Sequence, residues 1–228
     1  MATFVLIAGA GGDPAYWRWV VPQLEARGHE AVTVDLPGED DSAGFDEYAD
    51  VIVETVGDRK NVVLVAQSLA GFSAPMACDR IDAAMIIMVA AMTPKPGESA
   101  GEWWDASGQT EARRASDEAL GRDPDAPFDP FFTFLHDVPP DRLAELPPEA
   151  VRRQSGTPFE KPWPLAKWPD VPTRFLLCQE DRLFPAEFQR RIVKQRLGIT
   201  PDEMPGGHLP AFARPVELAE RLVGYLRK

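Results

Sequence analysis

Ser68 stands at the end of an apolar run, Val62-Val63-Leu64-Val65-Ala66-Gln67, and is followed by Leu69-Ala70-Gly71 and further small residues. A buried strand that runs into a serine, with a helix leaving it, makes a sharp turn that projects the hydroxyl at the rim of a sheet. The neighbours two before and two after must be small, because the turn crowds them against adjacent chain. Here they are Ala66 and Ala70 rather than the glycines of G-x-S-x-G. A serine so placed is a nucleophile if a base takes its proton. The competing reading is a serine that merely caps a helix.

Three histidines compete for the role of base. His29 lies between the end of the first helix and the second strand, at the wrong edge of the sheet for a strand-end site; a surface histidine near a helix C-terminus explains it. His136 falls inside an aromatic-rich segment, in Phe134-Leu135-His136-Asp137, as a packed or solvent-facing residue. His208 occupies Pro205-Gly206-Gly207-His208-Leu209-Pro210, a loop that can reach back over the sheet. An imidazole base needs a carboxylate to fix its tautomer and stabilise its charged form. Asp181, in Gln179-Glu180-Asp181-Arg182, follows a strand and is preferred over its neighbour Glu180. The order Ser68, Asp181, His208 is the chain order of one of the three known arrangements of this chemistry.

The elements that must position these groups follow from apolar periodicity. Short aliphatic runs at Thr3 to Ala8, Ala31 to Val34, Val62 to Ala66, Ala84 to Ala91 and Thr173 to Cys178 read as strands. Amphipathic stretches at Pro14 to Arg27, Phe45 to Val56, Leu69 to Arg80, Glu187 to Leu197 and Pro215 to Leu226 read as helices between and after them. The alternation predicts an α/β fold: a mostly parallel central sheet with helices on both faces and sites at the carboxyl ends of the strands. Residues 93–170 break the pattern, with many Pro, Gly and charged residues and scattered aromatics. The segment is too long for a simple connection and too aromatic for disorder. It is expected to be a cap inserted into a single domain whose core is 1–92 and 171–228. Its aromatics either form a small core of their own or, as with Trp103, Trp104 and Phe131, join Leu209 in contacting a substrate.

Taken together, Phe4-Val5-Leu6-Ile7 before Gly9-Ala10, Asp35-Leu36-Pro37-Gly38, Ser68-Leu69-Ala70-Gly71, Glu180-Asp181 with Phe184-Pro185, and Gly207-His208 with Pro215 and Glu217-Leu218 resemble the α/β-hydrolase superfamily. Within it the resemblance is to the branch of plant methyl esterases, hydroxynitrile lyases and bacterial carboxylesterase-like hydrolases. It implies a serine hydrolase acting through an acyl-enzyme on Ser68, with the backbone N–H groups of Ala10 and Leu69 as oxyanion hole. One departure concerns the first turn, where the family usually carries His-Gly and this chain has Ala8-Gly9. The turn thereby loses a prop, and Gly11 and Gly12 are expected to loosen it further. A small to medium, apolar or aromatic carboxylic ester is the expected substrate. Two alternatives are a non-catalytic ligand-binding protein on the same scaffold and a hydroxynitrile lyase. Leu209 argues against the lyase, because in that subgroup a lysine follows the histidine.

The remaining composition bounds the partners. A net charge of −12 would repel phosphate backbones, so nucleic acid is not an expected partner. Cys78 and Cys178 lie in apolar runs, as buried thiols of a reducing compartment do. No leader pattern opens the chain and no apolar run reaches the ~18 residues of a membrane span. A soluble, cytoplasmic protein is expected, needing no metal or cofactor.

Overall fold

The computed structural model describes residues 1–146 and 152–227. Six strands form one parallel sheet: β1 (Thr3–Ile7), β2 (Glu30–Thr33), β3 (Val62–Gln67), β4 (Ala83–Val89), β5 (Thr173–Cys178) and β6 (Asp202–Met204). Their order across the sheet is β2-β1-β3-β4-β5-β6. Every residue of β1 and β3 is buried, as a parallel sheet covered on both faces requires.

Alternation along these strands sends side chains to two cores. Val5, Ile7, Leu64 and Ala66 pack with α2 (Phe45–Val56), α3 (Ala70–Ala77) and α8 (Ala186–Leu197). Phe4, Leu6, Val63 and Val65 pack on the other face with Leu24 of α1 (Val21–Glu25), Phe212 of α9 (Pro210–Ala213) and Leu218 and Leu222 of α10 (Pro215–Gly224). The chain builds β2 on one side of β1 and then crosses to place β3 on the other. In such a sheet the crevice at this reversal, outside the carboxyl ends of β1 and β3, is where ligands bind.

Two elements differ from their expected form. The stretch Pro14 to Arg27 is a 3-10 turn, Pro14–Trp17, followed by the short α1 rather than one helix. Pro22 has no N–H to donate and so belongs to the start of a helix, not its middle. Strand β6 has no apolar run to mark it in the sequence: two of its three residues, Asp202 and Glu203, are charged and only partly buried. Such polar residues are usual on an edge strand.

The 93–170 segment contributes α4 (Ala100–Ser107), α5 (Gln109–Ala119), α6 (Pro140–Glu145) and α7 (Thr157–Glu160); its residues 147–151 lie outside the described residues. Ser99 and Glu102 open α4 with reciprocal side-chain-to-backbone hydrogen bonds of 3.1 and 2.9 Å, so two otherwise orphaned N–H groups are satisfied. Trp103 and Trp163 belong to the main sheet core rather than to a separate one, and their indole N–H groups donate to Thr93 O at 3.2 Å and Phe72 O at 2.9 Å.

A buried ion pair fastens this segment to α8. The Arg196 guanidinium, 1% exposed, meets both oxygens of Glu98, 8% exposed, at 2.5 and 2.8 Å, and also donates to Thr93 O. Removing one partner strands the other charge out of water. Arg196→Met is therefore expected to cost about 3–5 kcal/mol, read as a lower urea midpoint at unchanged slope.

Candidate active site

Ser68 follows the last residue of β3 with φ of +52°, a left-handed conformation that strains a side chain with a Cβ. The surroundings hold it there: its carbonyl accepts from Met92 N–H at 2.9 Å and Gly71 N–H at 3.1 Å, and its own N–H donates to Val89 O at 3.3 Å. Ala66 and Ala70 fit, at 0% and 2% exposure. The position that tolerates no side chain is Gly71, where a Cβ would lie 1.9 Å from Met92 O.

His208 is carried back to this turn by the loop after β6. Gly207 N–H donates to Asp137 Oδ2 at 2.7 Å, Gly206 N–H donates to the Glu180 carboxylate, and Glu180 N–H returns a bond to Gly206 O at 3.0 Å. The imidazole Nε2 stands 3.1 Å from Ser68 Oγ, and Nδ1 stands 2.8 Å from Asp181 Oδ2. Asp181 Oδ1 accepts from Leu183 and Phe184 N–H, both at 2.8 Å, which orients the carboxylate locally. Asp181 and His208 are 3% and 2% exposed, whereas Glu180 is exposed and engaged by the loop backbone. A carboxylate on Nδ1 keeps the proton there and leaves Nε2 free to accept from the serine hydroxyl. The rings of Phe184 and Phe134 pack on the imidazole at 5.0 and 5.5 Å, and bulk water is kept from it.

The other two histidines make no hydrogen bond to Ser68. His29 Nδ1 accepts from Ala2 N–H at 3.3 Å, at the far edge of the sheet. His136 packs behind the His208 loop with neither ring nitrogen paired among the described residues, and burial lowers its pKa.

Ala10 and Leu69 both border a cavity of about 320 Å³ above Ser68. Neither backbone N–H has an acceptor among the described residues, and Leu69 stands at the amino end of α3. Backbone donors without acceptors, on residues that share a cavity with a nucleophile, are the groups an oxyanion hole needs. The turn that carries Ala10 is not loose, contrary to expectation. Gly11 N–H donates to Gln154 Oε1 at 3.1 Å, Gly11 O accepts from Arg152 N–H at 2.7 Å, and Gly12 N–H closes on Gly9 O at 3.1 Å. Two of these ties come from more than 100 residues away in sequence, where the local composition of the turn carries no sign of them.

The cavity is walled by Trp104 and Leu209 together with Tyr16, Phe128, Phe134, Phe159, Leu183 and Phe212. Trp103 and Phe131 are corrections. Successive residues of a helix point about 100° apart, so with Trp104 on the cavity its neighbour Trp103 turns into the sheet core and is 0% exposed. Phe131 is 66% exposed, outside the cavity, while Phe134, three residues on, faces in. No carboxylate, ammonium or guanidinium borders the cavity among the described residues. The chemistry open to this arrangement is proton transfer from Ser68 to His208 and attack by the serine oxygen, in an apolar enclosure.

Away from the site, Cys78 and Cys178 are buried and unpaired, and burial pushes the Cys78 thiol up to about 12. No helix among the described residues is long and apolar enough to cross a membrane.

Known proteins place the chain. It is 26% identical to methylesterase 3 of Arabidopsis thaliana, over 98% of this chain and 95% of the relative. It is 27% identical to a pyrethroid hydrolase of Sphingobium wenxiniae, over 97% and 86% of the two chains. Among solved structures, an extracellular alpha/beta-hydrolase from a Paenibacillus species superposes with a TM-score of 0.77 at 20% identity, covering 98% of each chain. Polyneuridine aldehyde esterase superposes with a TM-score of 0.76 at 22% identity, covering 99% of each chain. The model of the alpha/beta hydrolase family matches residues 4–221, nearly the whole sheet and everything inserted in it, and the chain belongs to that family.

Proposed function

We propose that this protein is a serine carboxylesterase. Ser68 attacks the carbonyl of a small to medium, apolar or aryl ester while His208 takes its proton. Asp181 stabilises the imidazolium that results. The N–H groups of Ala10 and Leu69 receive the developing oxyanion, and His208 then protonates the departing alcohol. Water, deprotonated by the same imidazole, releases the acid from the acyl-enzyme and restores the serine. The observation that carries this reading is the buried line Ser68 Oγ to His208 Nε2 to Asp181, at 3.1 and 2.8 Å. Relatives named as esterases point the same way. In this reading residues 93–170 act as a cap whose Trp104, Phe128, Phe134 and Phe159 exclude water from the acyl group. Two buried, unpaired thiols support a cytoplasmic location.

The cavity wall gives the reading a measurable specificity. A charged acyl group would lose its hydration with nothing to pair against, at a cost of several kcal/mol. p-Nitrophenyl butyrate is therefore expected to exceed the p-nitrophenyl monoester of succinate in kcat/KM by about 100-fold or more. Equal rates for the two, or none for either, would count against the proposal.

A further inference from the structure

We infer that Gln67 is a positioning residue that sets the oxyanion turn and the base loop with one side chain; the inference rests on the hydrolase reading above. Gln67 ends β3 and is 3% exposed. It occupies the strand face shared with Val63 and Val65, which pack into an apolar core. A buried amide there is unfavourable unless both its ends are satisfied. They are: Gln67 Oε1 accepts from Gly9 N–H at 3.0 Å, and Gln67 Nε2 donates to His208 O at 3.1 Å.

The two bonds grip different halves of the site. Gly9 immediately precedes Ala10, which borders the cavity, so the bond to Gly9 N–H anchors the peptide plane next to the one that carries the Ala10 donor. The His208 carbonyl belongs to the residue from which the imidazole hangs, so holding it sets the ring's root over Ser68. Ala8, next in the turn, has no polar group to do this. The packing leaves no slack: a Cβ at Gly9 would lie 2.6 Å from Gln67 Oε1 and 2.7 Å from Ser68 Cβ. The bridge also requires an amide. A carboxylate can accept from Gly9 but would set an oxygen against the His208 carbonyl, and an apolar side chain does neither. A protonated carboxyl, with one donor and one acceptor, can do both.

Those differences define the test. Gln67→Leu is expected to lower kcat for p-nitrophenyl butyrate by about 100-fold, with KM within about threefold, because displacement of about 1 Å at a reacting centre costs that much. Gln67→Glu is expected to match the wild type only while its carboxyl is protonated. The ratio of its kcat to that of the wild type then approaches one in acid and falls about tenfold or more as the group ionises. A merely structural disturbance would lower that ratio equally at every pH. Gly9 N–H exchange, followed by 15N-resolved NMR, reads the bridge without turnover: slow in the wild type, fast in Gln67→Leu. The inference is overturned by a folded Gln67→Leu protein with kcat within about twofold of the wild type, by a pH-independent ratio for Gln67→Glu, or by Gly9 exchange indifferent to the substitution. Wild-type protein that hydrolyses no ester overturns the hydrolase reading instead, and with it the kinetic role of Gln67.

Discussion

Ser68→Ala is expected to reduce kcat for p-nitrophenyl butyrate by about 10⁵-fold or more, leaving a folded protein that still binds the ester. The reason is chemical rather than structural. Ser68 already holds φ of +52° against strain, and alanine meets the same backbone cost, so the turn has no cause to rearrange. Its carbonyl bonds to Met92 and Gly71 are backbone interactions that the substitution leaves in place. What goes is the one atom able to form an acyl bond 3.1 Å from the imidazole. The cavity and the two free N–H groups would remain, and they supply only the residual catalysis that binding and oxyanion stabilisation give without a nucleophile. Loss of the pre-steady-state burst of nitrophenolate, with an unchanged melting temperature, is the result to look for. A variant that retains even a tenth of the wild-type rate would place the chemistry elsewhere.

Asp181→Asn is expected to cost about 10⁴-fold in kcat, again with the fold intact. Oδ1 of Asp181 accepts from the N–H groups of Leu183 and Phe184. An asparagine must point its oxygen at those two donors, which turns its NH₂ toward His208 Nδ1. The imidazole then carries its proton on Nε2, facing Ser68, where it cannot act as base. Glu180→Gln is the matched control. That carboxylate is exposed, holds only loop backbone, and an amide oxygen can still accept from Gly206 N–H. Its kcat is expected to stay within about threefold of the wild type. Similar losses in both variants would shift the carboxylate's role from Asp181 to the loop as a whole.

The parts of this site that depend on local chemistry were legible in the sequence, and the parts that depend on distant contacts were not. Five of six strands announce themselves as aliphatic runs, most strongly β1 and β3, whose residues are buried on both faces of the parallel sheet. The sixth, Asp202–Met204, is short, charged and at the edge, so no run exists to be read. Ser68 stood out because a strand, a serine and small residues follow one another in the chain. His208 could be reached by elimination among three histidines, and Asp181 by its place directly after the last long strand, beside Glu180. Which aromatics face the cavity was not readable: choosing Trp104 over Trp103, or Phe134 over Phe131, needs the rotational phase of one helix or turn against the sheet. The same holds for Gln67, whose partners lie 58 and 141 residues away, and for Gly11, held by Gln154 from 143 residues away.

One oxygen, Oγ of Ser68, carries the proposed chemistry. Wild-type protein treated with a fluorophosphonate, digested and mapped by mass spectrometry is predicted to carry one adduct per chain, on the peptide containing Ser68, with turnover lost in proportion to labelling. Protein that hydrolyses p-nitrophenyl butyrate but carries no adduct on Ser68, or that stays fully active once Ser68 is labelled, would contradict it.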